Sequence, residues 1–219
     1  LDLTPADEDV LAYPVELGLV QLPWNKEVGW LPSELFLGTK RLDNSPRNCL
    51  NRVRDMVSNL GYQVKTGVEC EFFLLDKEAL MQSDANDLLD KPCYDQKAIM
   101  RRYELISKIS EYMYQMGWEP YQSDHEDANG QFEMNWEYDE SMVTADRHTF
   151  FKFMVQMVAE EHGFRATFMP KPFSNLTGNG CHVHVSAWDQ EGKTNLFETK
   201  DKQGLSALGL SFMAGVLKK

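Results

Sequence analysis

The run Gln131-Phe-Glu-Met-Asn-Trp-Glu137 alternates polar and apolar side chains without a break. Successive side chains of a β-strand point to opposite faces, so this period of two predicts a strand. Phe132, Met134 and Trp136 then share one face, and Gln131, Glu133, Asn135 and Glu137 the other; a helix would scatter both sets around its axis. Such a strand needs partners, and the sequence offers them. Val64 to Leu75 is a continuous apolar run broken by two acids, Glu69 and Glu71. Arg165 to Met169 and Cys181 to Trp188 read as two further strands, and Leu17 to Leu22 as a short one after an acidic, Pro-containing stretch from Asp2 to Pro14.

Segments with a period near 3.6 lie between these strands. Ser45-Pro46-Arg47 is a helix start, with Cys49, Leu50, Val53, Met56, Val57 and Leu60 as its apolar stripe and Gly61 as its stop. Residues 76–94 form a polar loop. Asp95 caps a helix predicted to reach Met116, with Ile99, Tyr103, Ile106, Ile109, Tyr112 and Met113 on one side and Gly117 at its end. Thr144 opens another, running to His162 around Phe150, Phe151, Met154 and Val158. The expected fold class is α+β: a curved, mainly antiparallel sheet with helices on one face. Leu205, Leu208, Phe212, Met213 and Val216 recur at helical spacing near the other end and need a partner surface. That segment has no C-cap signal and the first residue is Leu1, so the expectation is a piece of a longer protein.

Three strand-like segments carry metal-competent side chains where a plain core strand would not. In Glu69-Cys-Glu71 the two carboxylates share a face, and in His182-Val-His184 two imidazoles do. Glu126 and Glu133 flank a turn at Gly130. Crowded carboxylates repel and are costly to desolvate unless paired, and divalent cations relieve both problems. Several carboxylates with a single His suit Mg²⁺ or Mn²⁺ better than structural Zn²⁺. Each piece alone has a plainer reading: an E-x-E on an exposed strand is simply solvated, and an H-x-H need not bind anything. The loop Pro170 to Gly180 has glycines at 178 and 180 that admit an anion close to backbone N–H groups, and it also reads as a long hairpin connection. No G-x-x-x-x-G-K-[ST] occurs, so a nucleotide would be held mainly through metal.

Twenty-two basic against thirty-four acidic side chains leave a net charge of −12, which opposes a general nucleic-acid or anionic-membrane binder. No apolar run approaches the ~18 residues of a membrane helix, and nothing resembles a signal peptide. Cys49, Cys70, Cys93 and Cys181 form no C-x-x-C pair, as expected of reduced thiols in a cytoplasmic protein.

Gly67-Val-Glu-Cys-Glu-Phe-Phe-Leu74 resembles the G-x-E-x-E-F-x-L strand of the glutamine synthetase family, and His125-Glu-Asp-Ala-Asn-Gly-Gln-Phe-Glu133 resembles its H-E-x-x-x-G-Q-x-E segment. Thr144-Ala-Asp-Arg147, Ala166-Thr-Phe-Met-Pro-Lys-Pro172 and Gly178-Asn-Gly-Cys-His-Val-His-Val-Ser186 follow in matching order, so the likeness runs from about residue 12 to 219. It implies a reaction in which glutamate attacks the γ-phosphate of ATP and ammonia or a small alkylamine then displaces phosphate from γ-glutamyl phosphate. It implies two divalent cations, Mg²⁺ or Mn²⁺: one held by Glu71, Glu126 and Glu133, the second by Glu69 and His182. His184 and Ser186 resemble residues on the nucleotide side, and Thr177 and Gly178 residues beside glutamate. Thr177 stands where many members have Asn.

By the same resemblance, residues 1–219 are the N-terminal part of the catalytic domain, without the β-grasp domain and without the later half that holds phosphate-clamping arginines, a further metal ligand and a flap acid. No catalytic residue is therefore assigned, and the chain alone is expected to be inactive. The intact protein would form a homo-oligomeric ring. The wording Asp-Ala-Asn-Gly-Gln-Phe-Glu-Met-Asn-Trp is similar to the type III-like or γ-glutamylmethylamide synthetase branch. Two other classes compete. A catalytically silent structural or interaction relative predicts broken metal ligands, yet all five matched positions keep Glu or His. A cupin-like metal enzyme would want Glu shortly after His184, where the sequence reads Val-Ser-Ala-Trp-Asp.

Overall fold

The computed structural model describes residues 4, 6, 8–78, 80–199 and 204–218; Asp2, Leu3, Pro5 and Asp7 of the acidic opening stretch lie outside the described residues. In chain order the elements are β1 (Val10–Pro14), a short 3₁₀ turn (Glu16–Gly18), β2 (Val20–Leu22), β3 (Asn25–Trp30), β4 (Ser33–Leu37), β5 (Lys40–Arg41), α1 (Pro46–Asn59), β6 (Gln63–Asp76), α2 (Gln96–Arg101), α3 (Tyr103–Gln115), β7 (Pro120–His125), β8 (Gln131–Trp136), β9 (Asp139–Glu140), α4 (Ser141–Glu161), β10 (Phe164–Thr167), β11 (Cys181–Trp188) and α5 (Ala207–Leu217). They fall into two compact units. One comprises Leu1–Thr66, Asp139–Val143 and Val185–Lys219; the other comprises Gly67–Tyr138 and Thr144–His184.

The second unit has the predicted α+β form. β8 lies antiparallel between β6 and β7, with Phe72 opposite Phe132 and His125 opposite Phe132, and β10 pairs with β6 through Phe73–Asp76. β11 also joins β6. The alternation read from the sequence sends Cys70, Phe72, Leu74, Phe132, Met134 and Trp136 to one face. There Phe72 meets Phe151 of α4 (6.3 Å between ring centres) and Phe168 (5.7 Å), and Trp136 meets Phe151 (4.9 Å) and Trp118 (5.5 Å). Phe150, Phe151, Met154, Val155, Val158 and Ala159 of α4 are all buried, the helical stripe that the 3.6 period predicts. Each of the Phe, Met and Val side chains contributes about 1.5–3 kcal/mol by leaving water. The other face of the same strands holds the acids. All six residues of β8 are buried, polar ones included, so its polar face meets protein and not bulk solvent.

Several expectations are corrected. The helix predicted from Asp95 to Met116 is two helices. Asp95 does cap the first, accepting from the Lys97 N–H (3.1 Å), but Arg102 leaves helical geometry (φ −118°, ψ 16°). Its guanidinium turns to the backbone carbonyl of Ser83 and lies 4.8 Å from the Phe164 ring centre, contacts distant in sequence that periodicity cannot show. Tyr103, placed on the apolar side, is exposed, and Leu105 is buried instead. α4 begins at Ser141, ahead of Thr144, because the Glu140 carboxylate accepts from the Met142 N–H (3.0 Å) and the Ser141 hydroxyl (2.8 Å). Leu17 sits in the 3₁₀ turn, so the strand expected from Leu17 starts at Val20.

In the first unit β1, β4 and β5 form one small sheet and β2 and β3 a hairpin. β9 pairs there with Lys65 and Thr66 of β6. α1 follows Ser45, with Pro46 at its first turn, and ends before Gly61 (φ +86°). Its predicted stripe does not hold: Val53, Met56 and Leu60 are exposed, and the buried residue of the helix is Asn48, whose amide donates to the carbonyls of Leu35 (3.1 Å) and Leu42 (3.0 Å). Among the described residues no helix is long and apolar enough to cross a membrane.

Candidate metal centre

Register brings the acids together. Glu71 stands directly across from Glu133 and Glu69 from Asn135 on the β6–β8 ladder, while Asp124 stands across from Glu133 on the β7–β8 ladder. Carboxylate oxygens of Asp124, Glu126 and Glu133 lie within 4.8 Å of one another, and so do ligand atoms of Glu69, Glu133 and His182. Glu133 belongs to both groups. It is 7% exposed, and the Asn135 amide donates to its Oε1 (2.9 Å).

Glu71, also buried, is held differently. Its Oε2 accepts from the Gln131 side-chain amide (2.7 Å) and from the Gly180 N–H (3.0 Å). The same Gln131 nitrogen reaches the Gly178 carbonyl (3.0 Å) and Asn179 Oδ1 (3.0 Å), tying the 170–180 loop to the sheet. Phe173 and Leu176 of that loop pack on Phe73, Leu75 and Ala128. Gly180 is required by proximity: a Cβ there would sit 2.7 Å from Glu71 Oε1. At Gly178 it would sit 2.4 Å from the Pro170 carbonyl oxygen. Thr177 donates its hydroxyl to Asp127 (2.8 Å).

His182 and His184, both exposed, share Glu69: His182 Nδ1 lies 3.2 Å from Glu69 Oε2 and His184 Nε2 2.8 Å from Oε1. Ser186 belongs to the other unit, where its Oγ accepts from the Trp188 indole N–H (2.8 Å). His125 is fully buried with both ring nitrogens facing oxygens, Nε2 toward Asp87 Oδ2 (2.7 Å) and Nδ1 toward the Glu126 carbonyl (2.9 Å). Asp87 also accepts from the Gly130 N–H (2.7 Å), so the 76–94 loop reaches in to fix the turn that carries Glu126.

Burial pushes the Glu126 carboxyl up to about 7, and the charges of Glu133, Glu71 and Asp124 push in the same direction. Burial likewise raises Glu133; the Asn135 hydrogen bond lowers it, and Glu69, Glu71 and Asp124 raise it further. Acids that destabilise one another's charged forms are relieved by protons or by a cation.

The family model for the glutamine synthetase catalytic domain matches residues 43–219. The chain belongs to the glutamine synthetase family. Among relatives of this glutamine synthetase-family chain, a glutamine synthetase of Rhizobium leguminosarum bv. phaseoli is 53% identical over 219 residues, covering 100% of this chain and 50% of the relative. A glutamate–methylamine ligase of Methyloversatilis universalis is 39% identical over 224 residues, again covering 100% of this chain and 50% of the relative. A solved GmaS/ADP complex superposes with a TM-score of 0.96 at 52% identity, covering 100% of this chain and 50% of that one. The chain thus spans about half the length of the curated relatives it matches.

The donor set of this glutamine synthetase-family face fits hard divalent cations: carboxylate oxygens with an imidazole beside them, mutually repelling and partly desolvated. Of the residues singled out in the sequence, Glu69, Glu126, Glu133 and His182 fall within the two tight groups, and Glu71 lies beside them, facing Glu133 across the ladder. Asp124 was missed: its strand β7 ends at His125, and only its pairing across from Glu133 brings it to the acids. Gln131 and Asn135 were legible as polar-face residues, but their task of holding Glu71 and Glu133 was not.

Proposed function

We propose that this chain gathers the cations and the reacting carboxyl in an ATP-dependent ligase that joins ammonia or a small alkylamine to the γ-carboxyl of L-glutamate through γ-glutamyl phosphate. The observation that carries the reading is the buried, like-charged set around Glu133, with the Glu126 carboxyl held near 7 by burial and neighbouring acids. Glu71, Glu126 and Glu133 would hold one Mg²⁺ or Mn²⁺, with Asp124 beside them; Glu69 and His182 would hold the second. When bound, these cations would screen phosphate charge and keep the transfer in line.

The chain's own groups do the positioning. Gln131 and the Gly180 N–H fix the Glu71 carboxylate, Asn135 fixes Glu133, and His184 fixes the second oxygen of Glu69. His184 and Ser186 serve the nucleotide side, and Thr177 and Gly178 the glutamate side, where the Thr177 hydroxyl keeps acceptor capacity while donating to Asp127. The 219 residues form the N-terminal part of the catalytic domain of a cytoplasmic, homo-oligomeric ring enzyme, whose β-grasp domain, arginine clamps and flap acid come from the rest of the polypeptide.

The test is amine-dependent phosphate release from ATP with glutamate and Mg²⁺ or Mn²⁺, using ammonia and methylamine in parallel. It is run on this chain and on a polypeptide extended to the length of its relatives. Release by the extended protein, lost in Glu133→Gln, supports the ligase and names its amine. Equal absence of release from both, with assembly intact, moves the protein to the silent structural class.

A further inference from the structure

The face of β6 and β11 turned away from the acids carries a second cluster. Gly67 lies against His184, Glu69 reaches His182, and the Glu71 N–H donates to the Gly180 carbonyl (3.3 Å). Numbers therefore rise along one strand as they fall along the other, and Cys70 stands beside Cys181. Because strand side chains alternate, these thiols point to the face opposite Glu69 and His182. His148 of α4 joins them there: both sulfurs and a ring nitrogen lie within 4.8 Å of one another. His148 Nδ1 is buried and has no hydrogen-bond partner. A buried polar nitrogen left unpaired is uncommon and calls for a ligand.

We propose that Cys70, His148 and Cys181 form a three-ligand site for a thiophilic divalent cation, Zn²⁺ by preference. Two sulfurs and an imidazole are soft donors that match Zn²⁺, whereas the carboxylates of the opposite face match Mg²⁺ or Mn²⁺. Cys70 is buried and Cys181 exposed, so the fourth position opens toward solvent on the Cys181 side. Occupancy would pin α4 to the two strands that present Glu69 and His182. The inference stands independently of the role given to the acids.

Cobalt separates the two faces, because Co²⁺ bound to thiolate gives a sulfur-to-metal charge-transfer band that carboxylate and imidazole ligands do not. The full chain, reduced and stripped of metal, is titrated with Co²⁺ and then challenged with Zn²⁺. The expected result is a sulfur band that saturates at one equivalent and is bleached by Zn²⁺, with the melting temperature raised as the site fills. Glu133→Gln leaves the band unchanged. Cys70 is buried and its replacement threatens the fold, so the exposed Cys181 carries the test. Cys181→Ser removes one of the two sulfur donors, so the band at saturating Co²⁺ falls by about half and binding weakens by at least about tenfold, since loss of a mere supporting contact already costs that much. His148→Ala weakens binding comparably. No sulfur band at saturating Co²⁺, or a band and an affinity that Cys181→Ser leaves unchanged, overturns the proposal. So does a Cys70–Cys181 disulfide in the isolated chain that, once reduced, still yields no band.

Discussion

Glu133 has its own charge for company: Glu71 faces it across one ladder and Asp124 across the other. The cost is visible at Glu126, whose carboxyl rises from an ordinary 4.5 to about 7. A group with a raised folded value binds more protons folded than unfolded between those two values. In the absence of divalent cations, this cluster's contribution to stability is therefore present below pH 4.5 and is lost as pH rises through about 7. Denaturation in chelator should show it, and Glu126→Gln should flatten that part of the profile. Mn²⁺ added above about pH 7 should restore stability by binding only the folded chain. A second outcome follows from proximity: Gly180→Ala places a carbon 2.7 Å from Glu71 Oε1. It should cost about 1–3 kcal/mol in urea unfolding and lower Mn²⁺ affinity. At this scale spacing alone exposed which side chains share a face. It did not expose Gln131 as the clamp on Glu71, because that role depends on a loop some 50 residues further on coming to rest beside it.

Among the elements, α4 and α1 separate what pattern reveals from what it does not. Both carry apolar side chains at helical spacing, yet Phe151 is fully buried and Val53 is 55% exposed. Phe151→Ala should cost about 3–5 kcal/mol, whereas Val53→Ala should stay within about 0.5 kcal/mol, as measured by chemical denaturation. Period describes a face, and only packing says whether a neighbour covers it. The same limit applies at Arg102, where contacts with Ser83 and Phe164 outweigh an unbroken helical pattern. β8 and α4 were legible because alternation in one and a 3.6 period in the other coincide with burial of the apolar face, and β6 because its apolar run ends in a fully buried stretch. The strand pairing that makes Glu133 common to both acid groups was not, since register is a property of two segments together.

On the scale of the whole molecule, a charge of −12 coexists with an α5 whose Leu210, Phe212, Met213, Val216 and Leu217 are exposed. Exposed apolar residues gathered on one helix favour association. The chain should self-associate in light scattering, and Phe212→Glu with Val216→Glu should shift it toward monomer without changing Mn²⁺ uptake at the acids. The central sheet carries one further consequence, for inheritance. Its strands are written on both sides, the rings that meet α4 on one and the acids, with Phe73 beyond them, on the other, in a single alternating script. Deleting or inserting one residue between Glu69 and Phe73, or between Gln131 and Trp136, would transpose the two texts, turning carboxylates toward α4 and its rings and moving the partner rings to the side of the acids. Descendants of this chain are therefore free within these strands to change their spelling but not their length.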